Sequence, residues 1–187
     1  MGSTPNNHTM RSTRKNPPIT ASAQVASHSG LVTAAVYHYR RAMLERFRFA
    51  RYALKFERAF KTDRWDDVKA CFHPESTYTV LGTETEWDTV VRGPDAIVAF
   101  FKKMLDEGDR QFDARRPGLT GVPRVKGGEL VVPWKATYTM GGESIVLHGE
   151  SRCRFSGGKI IALSDTMRAD ETQRWIAMAR SKSAASA

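Results

Sequence analysis

Three Gly-Gly pairs punctuate the second half of this 187-residue chain, at residues 127–128, 141–142 and 157–158. Between them lie segments in which apolar or aromatic side chains recur at every second position. The first such segment contains Leu130, Val132, Trp134, Ala136, Tyr138 and Met140. This alternation is typical of strands with one buried face, and Gly-Gly supplies the positive φ angles that tight hairpins need. The pattern predicts successive antiparallel hairpins over residues 122–167.

The first half of the chain follows a helical period instead. Between residues 52 and 60, the apolar side chains that share one helix face are Tyr52, Phe56, Ala59 and Phe60. Asp63 is the expected N-cap of a short second helix, which His73 ends and Pro74 closes. A strand through Tyr78 follows, and Pro94 is suited to the first turn of a third helix.

Two segments carry a resemblance to a known superfamily. Residues 56–82, FERAFKTDRWDDVKACFHPESTYTVLG, and residues 92–101, RGPDAIVAFF, resemble the opening half of NTF2-like proteins, which include SnoaL-like polyketide cyclases, ketosteroid isomerases and scytalone dehydratases. RFSGGKII, at residues 154–161, resembles their last hairpin. The resemblance implies an α+β fold in which a curved antiparallel sheet wraps around helices as a cone with a central pocket.

The composition predicts one domain with two appendages. Residues 1–30 contain few large apolar side chains and are expected to be disordered. A single SnoaL-like domain is expected over residues 31–180, with its core at about residues 52–167 and a short helix around Trp175 packing over the cone. Residues 181–187 are expected to form a flexible tail.

The net charge of +9 is concentrated in the first 60 residues, which hold ten basic side chains and only two acidic ones. This basic helix and extension is able to attract RNA, another nucleic acid, an anionic lipid surface or an acidic partner. The alternative is a solvated helix face whose arginine stems cover apolar surface. The second interpretation is preferred, because no base-reading motif accompanies the charge.

The sequence gives little sign of a cofactor or a targeting signal. The N-terminus resembles an organelle transit peptide in lacking acidic residues, but it has no apolar periodicity, so a cytoplasmic location is the default expectation. Cys71 and Cys153 are lone cysteines in apolar patterns, and the histidines have no metal-ligand spacing. We expect neither a metal nor a cofactor.

Asp165 is the first candidate for a catalytic residue. It shares strand parity with Ile161, Leu163 and Met167, so its side chain is expected to point into the pocket, where burial tunes a carboxyl for proton transfer. In the resembled polyketide cyclases, an acidic residue near the end of this strand performs acid–base work. The alternative is a strand-end carboxylate that caps a turn or pairs with Arg168.

Tyr78 is the second candidate, as an oxyanion donor or as a core residue with a satisfied hydroxyl. Trp134 and Tyr138 are expected to contact a ligand from the opposite wall. Trp87 and Asp88 lie in a polar insert, where Asp88 is either a carboxylate at the pocket mouth or an exposed loop acid.

Comparison with the resembled enzymes argues against several of their catalytic mechanisms, because the required residues are missing from the corresponding positions. The general-base position of ketosteroid isomerases falls on Val80, their oxyanion-hole aspartate on Ser151, and their first-helix tyrosine near Phe56. These three residues are expected to line the pocket without that chemistry. A scytalone dehydratase pair would require His73 and His148, and strand parity is unfavourable for His148. No arginine with two aspartate partners is legible as an epoxide-hydrolase triad.

The sequence therefore predicts a protein that binds a small hydrophobic or aromatic molecule. If it is an enzyme, it is a cofactor-independent cyclase, isomerase or dehydratase, with Asp165 as base and Tyr78 or Tyr138 as donor. The alternative is a non-catalytic module, a homodimer through the outer sheet face whose basic helix binds a partner. An open cavity with a buried carboxylate would favour catalysis.

Overall fold

A 42-residue helix, α1 (Ala21–Thr62), precedes the sheet. The computed structural model describes the backbone of residues 21–185 and the side chains of residues 36, 37 and 39–182. Within the described part, the chain divides into two units after residue 38, and the sheet and its cavity belong to the second unit. Of the segment expected to be disordered, residues 1–20 lie outside the described part, and the backbone is helical from Ala21 onward.

Three further helices and seven strands follow α1. In chain order they are α2 (Asp66–Lys69), β1 (Phe72–Leu81), β2 (Thr89–Arg92), α3 (Pro94–Glu107), β3 (Ala114–Leu119), β4 (Arg124–Lys126), β5 (Glu129–Met140), β6 (Glu143–Ser156), β7 (Lys159–Met167) and α4 (Ala169–Ala185). The strands form one curved, unclosed sheet in the order β2-β1-β7-β6-β5-β3, with β4 paired to β5. Only the β1–β7 pair among these seven strands is parallel.

The predicted hairpins are confirmed. The β4–β5, β5–β6 and β6–β7 connections turn at Gly127-Gly128, Gly141-Gly142 and Gly157-Gly158, and all six glycines have positive φ. The alternation in β5 places Val132, Ala136 and Tyr138 on the buried, concave face. One bulge changes the parity in β7, because the β6–β7 register shifts between Arg154 and Phe155. As a result Ile160 is the buried isoleucine, whereas Ile161 was expected to share the inward face with Asp165.

The second helix is shorter than predicted. Asp63 is not an N-cap: its φ is +55°, and its carboxylate accepts a hydrogen bond from Trp65 Nε1 at 2.9 Å. Strand β1 already begins at Phe72, because Phe72 pairs with Ile160 of β7. His73 and Pro74 therefore belong to the strand and do not end the helix, and Pro74 lies where the β1–β7 register shifts.

The core fills the concave side of the sheet. Aromatic rings from α1, β1 and α3 pack edge to face there, with Phe56 and Phe101 centroids 5.3 Å apart and Tyr78 and Phe101 centroids 4.8 Å apart. Helix α4 covers one end of the sheet with Trp175 and Ile176, as the short helix over the cone was expected to do. It continues to Ala185, into the segment expected to be a tail.

Candidate functional site

A cavity of about 370 Å³ lies between the concave face of the sheet and helices α1, α3 and α4. Its wall is largely apolar, with Phe49 and Phe56 from α1, Leu105 from α3, and Val132 and Leu147 from the sheet. This size and character are those of sites that take up small organic molecules. Two clusters of polar side chains interrupt the apolar wall.

The first cluster surrounds Asp165. The strand register brings Asp165 of β7 opposite Ser151 of β6. Tyr78 Oη donates a hydrogen bond to Asp165 Oδ2 at 2.7 Å, and Ser151 Oγ donates one to Asp165 Oδ1. Trp134 is a third polar neighbour of this carboxyl, and its indole acts to lower the Asp165 pKa. All four residues line the cavity, and we call them the Asp165 cluster.

Burial raises the pKa of Asp165 above its ordinary value, and the donors Ser151, Tyr78 and Trp134 only partly oppose that rise. No cation is among the groups that influence this carboxyl. Arg168, the partner considered from the sequence, binds Glu171 instead at 3.4 Å. Asp165 is therefore a carboxyl held by neutral donors in an apolar cavity, and the ion-pair interpretation is wrong.

The position of Tyr78 differs from that of a free oxyanion donor. Its side chain is 1% exposed, and its hydroxyl proton is directed at Asp165. Burial and the neighbouring Asp165 raise the pKa of Tyr78 well above its ordinary value, so the hydroxyl stays protonated. Tyr78 thus orients the Asp165 carboxyl.

The second cluster was not predicted. It joins Asp109, in a single 3₁₀ turn after α3, with Tyr138 of β5, Arg115 of β3 and Glu57 of α1. Tyr138 Oη donates to Asp109 Oδ1 at 2.7 Å, and the Arg115 guanidinium lies 2.7 Å from Asp109 and 2.8 Å from Glu57. We call this group the Asp109 cluster. An arginine between two carboxylates is therefore present, although none was legible in the sequence.

The electrostatics of the Asp109 cluster include a cation. Burial raises the pKa of Asp109, and Arg115 opposes that rise. Burial alone would lower the pKa of Arg115, but Asp109 and Glu57 raise it above its usual value, so the guanidinium stays charged. Tyr138 was expected to contact a ligand; it does line the cavity, but its hydroxyl proton is held by Asp109.

The other residues considered from the sequence divide into two groups. Phe56, Trp87, Trp134 and Ser151 line the cavity. Val80 does not: it is fully buried in the core beside Tyr78 in β1. Asp88 does not line the cavity either, because its carboxylate accepts hydrogen bonds from Thr83 and Glu84 within its own loop.

The bonds that Asp88 accepts outweigh the effect of desolvation and lower its pKa, so it is a loop acid and not a carboxylate at the pocket mouth. The two histidines that a dehydratase pair would require also lie elsewhere. His148 binds Glu171 of α4 through Nδ1, at 3.0 Å. His73 Nδ1 accepts a hydrogen bond from the backbone N–H of Glu75.

Each cluster has a tryptophan that lies against a glycine. A Cβ on Gly149 would lie 2.3 Å from the Trp134 ring, and a Cβ on Gly108 would lie 2.0 Å from the Trp175 ring. Trp175 in turn packs 5.5 Å from Tyr138. Glycine is therefore required at both positions for the cavity wall to keep this shape.

Two indole N–H groups on the cavity wall lack an acceptor. Trp87 and Trp175 line the cavity, their side chains are more than nine-tenths buried, and Nε1 of each finds no hydrogen-bond partner among the described residues. Buried donors in native proteins are usually satisfied, and these two nitrogen atoms are themselves enclosed, so a bound molecule would reach them only after the rings turn.

Comparison with known proteins identifies the fold. A NTF2-like protein of unknown function from Burkholderia pseudomallei K96243 is similar at 18% identity, with a TM-score of 0.56 over 71% of this chain and 97% of that chain. TerC, co-crystallised with polyporic acid, is similar at 14% identity, with a TM-score of 0.53 over 67% of this chain and 95% of that chain. At such identities these likenesses show the fold alone.

A hypothetical protein with a ketosteroid isomerase-like fold from Catenulispora acidiphila DSM 44928, in complex with trimethylamine, is similar at 11% identity, with a TM-score of 0.50 over 67% of this chain and 92% of that chain. No curated protein sequence matches the chain. The family model of the SnoaL-like domain matches residues 53–163, which is more than half of the chain and includes Asp109, Arg115 and Tyr138. The chain belongs to the SnoaL-like domain family.

Proposed function

We propose that this protein is a cofactor-independent enzyme that moves a proton on a small aromatic or hydrophobic carbonyl compound, with Asp165 as the base. The observation that carries the proposal is a carboxyl set in an apolar cavity and held only by neutral donors. On a carbonyl compound, cyclisation, isomerisation and dehydration can each begin with removal of a proton next to the carbonyl, which such a carboxylate is suited to perform.

The raised pKa of Asp165 supports the role of base. A carboxylate with a higher pKa is a stronger base, so it takes a proton from carbon more readily than an exposed aspartate does. Tyr78 and Ser151 hold the carboxyl by one oxygen each, which fixes its orientation towards the cavity. Orientation of this kind lowers the entropic part of the barrier.

When negative charge develops on the substrate oxygen, that oxygen needs a hydrogen-bond donor. Tyr78 and Tyr138, the donors considered from the sequence, have hydroxyl protons that are directed at Asp165 and Asp109. The indole N–H groups of Trp87 and Trp175 are unpaired among the described residues but enclosed, so we propose that one of these rings turns its N–H to the substrate oxygen when a ligand binds. A donor in a cavity sheltered from water stabilises an enolate oxygen more strongly than one in bulk solvent.

Exchange of carbon-bound hydrogen tests the proposal without knowledge of the natural substrate. We use 2-tetralone, a two-ring aromatic ketone with acidic α-protons, and follow their replacement by deuterium in D₂O by proton NMR. Quenching of tryptophan fluorescence measures its binding separately, because Trp87, Trp134 and Trp175 line the cavity. We expect the wild-type protein to accelerate exchange and the Asp165→Asn variant to bind the ketone without accelerating it.

The matched control is Asp95→Asn, which makes the same chemical change at an exposed carboxylate outside the cavity. It should exchange 2-tetralone at the wild-type rate. The proposal would be overturned if the bound ketone exchanged no faster than in buffer, or if Asp165→Asn kept the acceleration. Absence of fluorescence quenching would rule against aromatic ketones as the ligand class.

A second candidate function is a non-catalytic interaction module. Large apolar side chains exposed on α1, among them Tyr39, Phe47 and Leu54, support a partner-binding role. The homodimer through the outer sheet face is proposed from the family resemblance, and sedimentation equilibrium of the full chain measures it. We favour the enzyme, because a pure interaction module gives no role to the polar groups of the cavity wall.

A further inference from the structure

Helix α1 has two apolar faces, and only one of them is used by the core. Phe49, Tyr52, Ala53 and Phe56 line the cavity from one side of the helix. None of the described helices is both long enough and apolar enough to cross a membrane. The second apolar face of α1, on the solvent side, therefore calls for another explanation.

The outward face is formed by side chains spaced three or four residues apart, namely Tyr39, Met43, Phe47, Ala50 and Leu54. At 3.6 residues per turn they fall within about 80° of the helix circumference. The four large ones are between 48% and 71% exposed. We call these five residues the outer stripe. A continuous exposed apolar stripe of this kind marks an interaction surface.

Arginines adjoin the outer stripe along one edge. Arg40, Arg51 and Arg58 are exposed and follow the stripe on the next arc of the helix. The Arg51 guanidinium lies over the Phe47 ring, 5.8 Å from its centroid. Glu45 is the only acidic residue among the first 56, and it is buried and bound to Arg41. The exposed surface at the stripe is thus apolar and cationic at once.

We propose that the outer stripe and its arginine row dock on an anionic lipid surface. An interfacial helix of this kind lies in the membrane plane, with aromatic and aliphatic side chains among the acyl chains and arginines at the headgroups. The long arginine stems reach from the apolar level to the lipid phosphates. Anionic phospholipids therefore satisfy both features of the face, the apolar stripe and the positive charge.

Other occupants match the face less well. Residues 1–44 contain no acidic residue, so the N-terminal segment of the chain cannot neutralise the arginines. A second copy would set one arginine row against another, with repulsion between like charges. A nucleic acid would satisfy the arginines but would leave Met43 and Leu54 without an apolar partner.

The test uses the full chain and sedimentation with vesicles. We expect binding to vesicles of phosphatidylcholine mixed with an equal amount of phosphatidylglycerol, no binding to vesicles of phosphatidylcholine alone, and weaker binding as salt is added. Replacing Arg40, Arg51 and Arg58 together by glutamine should reduce the partition coefficient about 100-fold. Phe47→Ser with Leu54→Ser should reduce it about tenfold or more.

The matched control replaces Arg92, Arg116 and Arg154, three exposed arginines of the sheet, by glutamine. It removes the same charge elsewhere and should change the partition coefficient less than about threefold, because distant charges are screened. Circular dichroism checks that each variant keeps its fold, which is expected because the altered side chains are exposed.

Three outcomes would overturn the proposal. The first is equal binding by the wild type and the Phe47/Leu54 variant, which would leave a purely electrostatic contact. The second is tighter binding to a duplex RNA oligonucleotide than to the anionic vesicles. The third is a wild-type dimer in sedimentation equilibrium that Leu54→Ser converts to a monomer, because the outer stripe would then be an interface between two copies of this chain.

Discussion

The Asp165 cluster and the Asp109 cluster lie on the wall of one cavity, yet the donors that surround the buried carboxyl differ in charge. Asp165 accepts hydrogen bonds from neutral donors only, whereas Asp109 adds the guanidinium of Arg115 to the hydroxyl of Tyr138. Neutral donors oppose the effect of burial on the carboxyl pKa without adding a charge, whereas a nearby cation favours the charged carboxylate directly. The first arrangement is suited to proton transfer, and the second connects α1, β3 and the turn after α3 through hydrogen bonds and ion pairs.

The largest expected difference between the two clusters is the loss in the free energy of unfolding when their aspartate is replaced by asparagine. Asp109→Asn removes one carboxylate from a buried arginine and leaves only the partly exposed Glu57, so we expect a loss of about 3 kcal/mol in the free energy of unfolding. Asp165→Asn keeps an acceptor for Tyr78 and should cost less than about 1 kcal/mol. Urea denaturation at neutral pH measures both. Equal losses would contradict the distinction between a structural and a chemical carboxyl.

The two glycines beneath the tryptophans give the next largest effect. In Gly108→Ala the new Cβ meets the Trp175 ring and also the Met104 carbonyl oxygen at 2.8 Å, so we expect about 2–3 kcal/mol of destabilisation from overpacking. In Gly149→Ala the nearest three atoms all belong to Trp134, which is able to move into the cavity, so about 1 kcal/mol is expected.

The Gly149→Ala variant should also change the chemistry of the cavity, because a displaced Trp134 no longer donates to Asp165 and the pKa of that carboxyl then rises. NMR titration of the Asp165 carboxyl measures the change. Gly108→Ala is the control, since Trp175 contributes nothing to the pKa of Asp165. An Asp165 pKa shifted equally by both variants would argue against separate clusters.

The two clusters also differ in how far their residues could be predicted from the amino-acid sequence. The position of Asp165 on the cavity wall could be predicted, because strand alternation indicates which way a side chain points. Strand β7 keeps this alternation from Leu163 to Met167. The bulge near Phe155, which replaces Ile161 by Ile160 on the inner face, leaves no mark on that pattern. The prediction that Val80 lines the pocket was wrong for another reason. Strand parity predicts which face of the sheet a side chain occupies, but it does not predict how far along the strand the cavity extends.

The Asp109 cluster was missed because nothing local specifies it. Strand β3 contains Pro117 and Gly118 and shows no alternation, and it is a strand because it pairs with β5. Arg115 belongs to a run of charged residues that reads as loop. Its partners come from α1 and from the turn after α3, so only the folded sheet brings Glu57, Asp109 and Tyr138 to it.

The smallest expected effect is the pH dependence of stability. Because burial raises the pKa of Asp165 above its ordinary value, the folded protein keeps a proton there at pH values where the unfolded chain has released it. The stabilisation from Asp165 is therefore complete below the pKa of the unfolded chain, about 4, and is lost as the pH rises through the folded pKa. Asp165→Asn does not titrate, so the wild type should lose stability relative to this variant as the pH rises above about 4. Asp109 should change in the same direction when compared with Asp109→Asn, because burial raises its pKa as well, although Arg115 opposes that rise. Urea denaturation at a series of pH values measures both differences. A wild type that gained stability relative to Asp165→Asn as the pH rose would mean that the pKa of Asp165 is lowered, which would contradict the dominant effect of burial on this carboxyl.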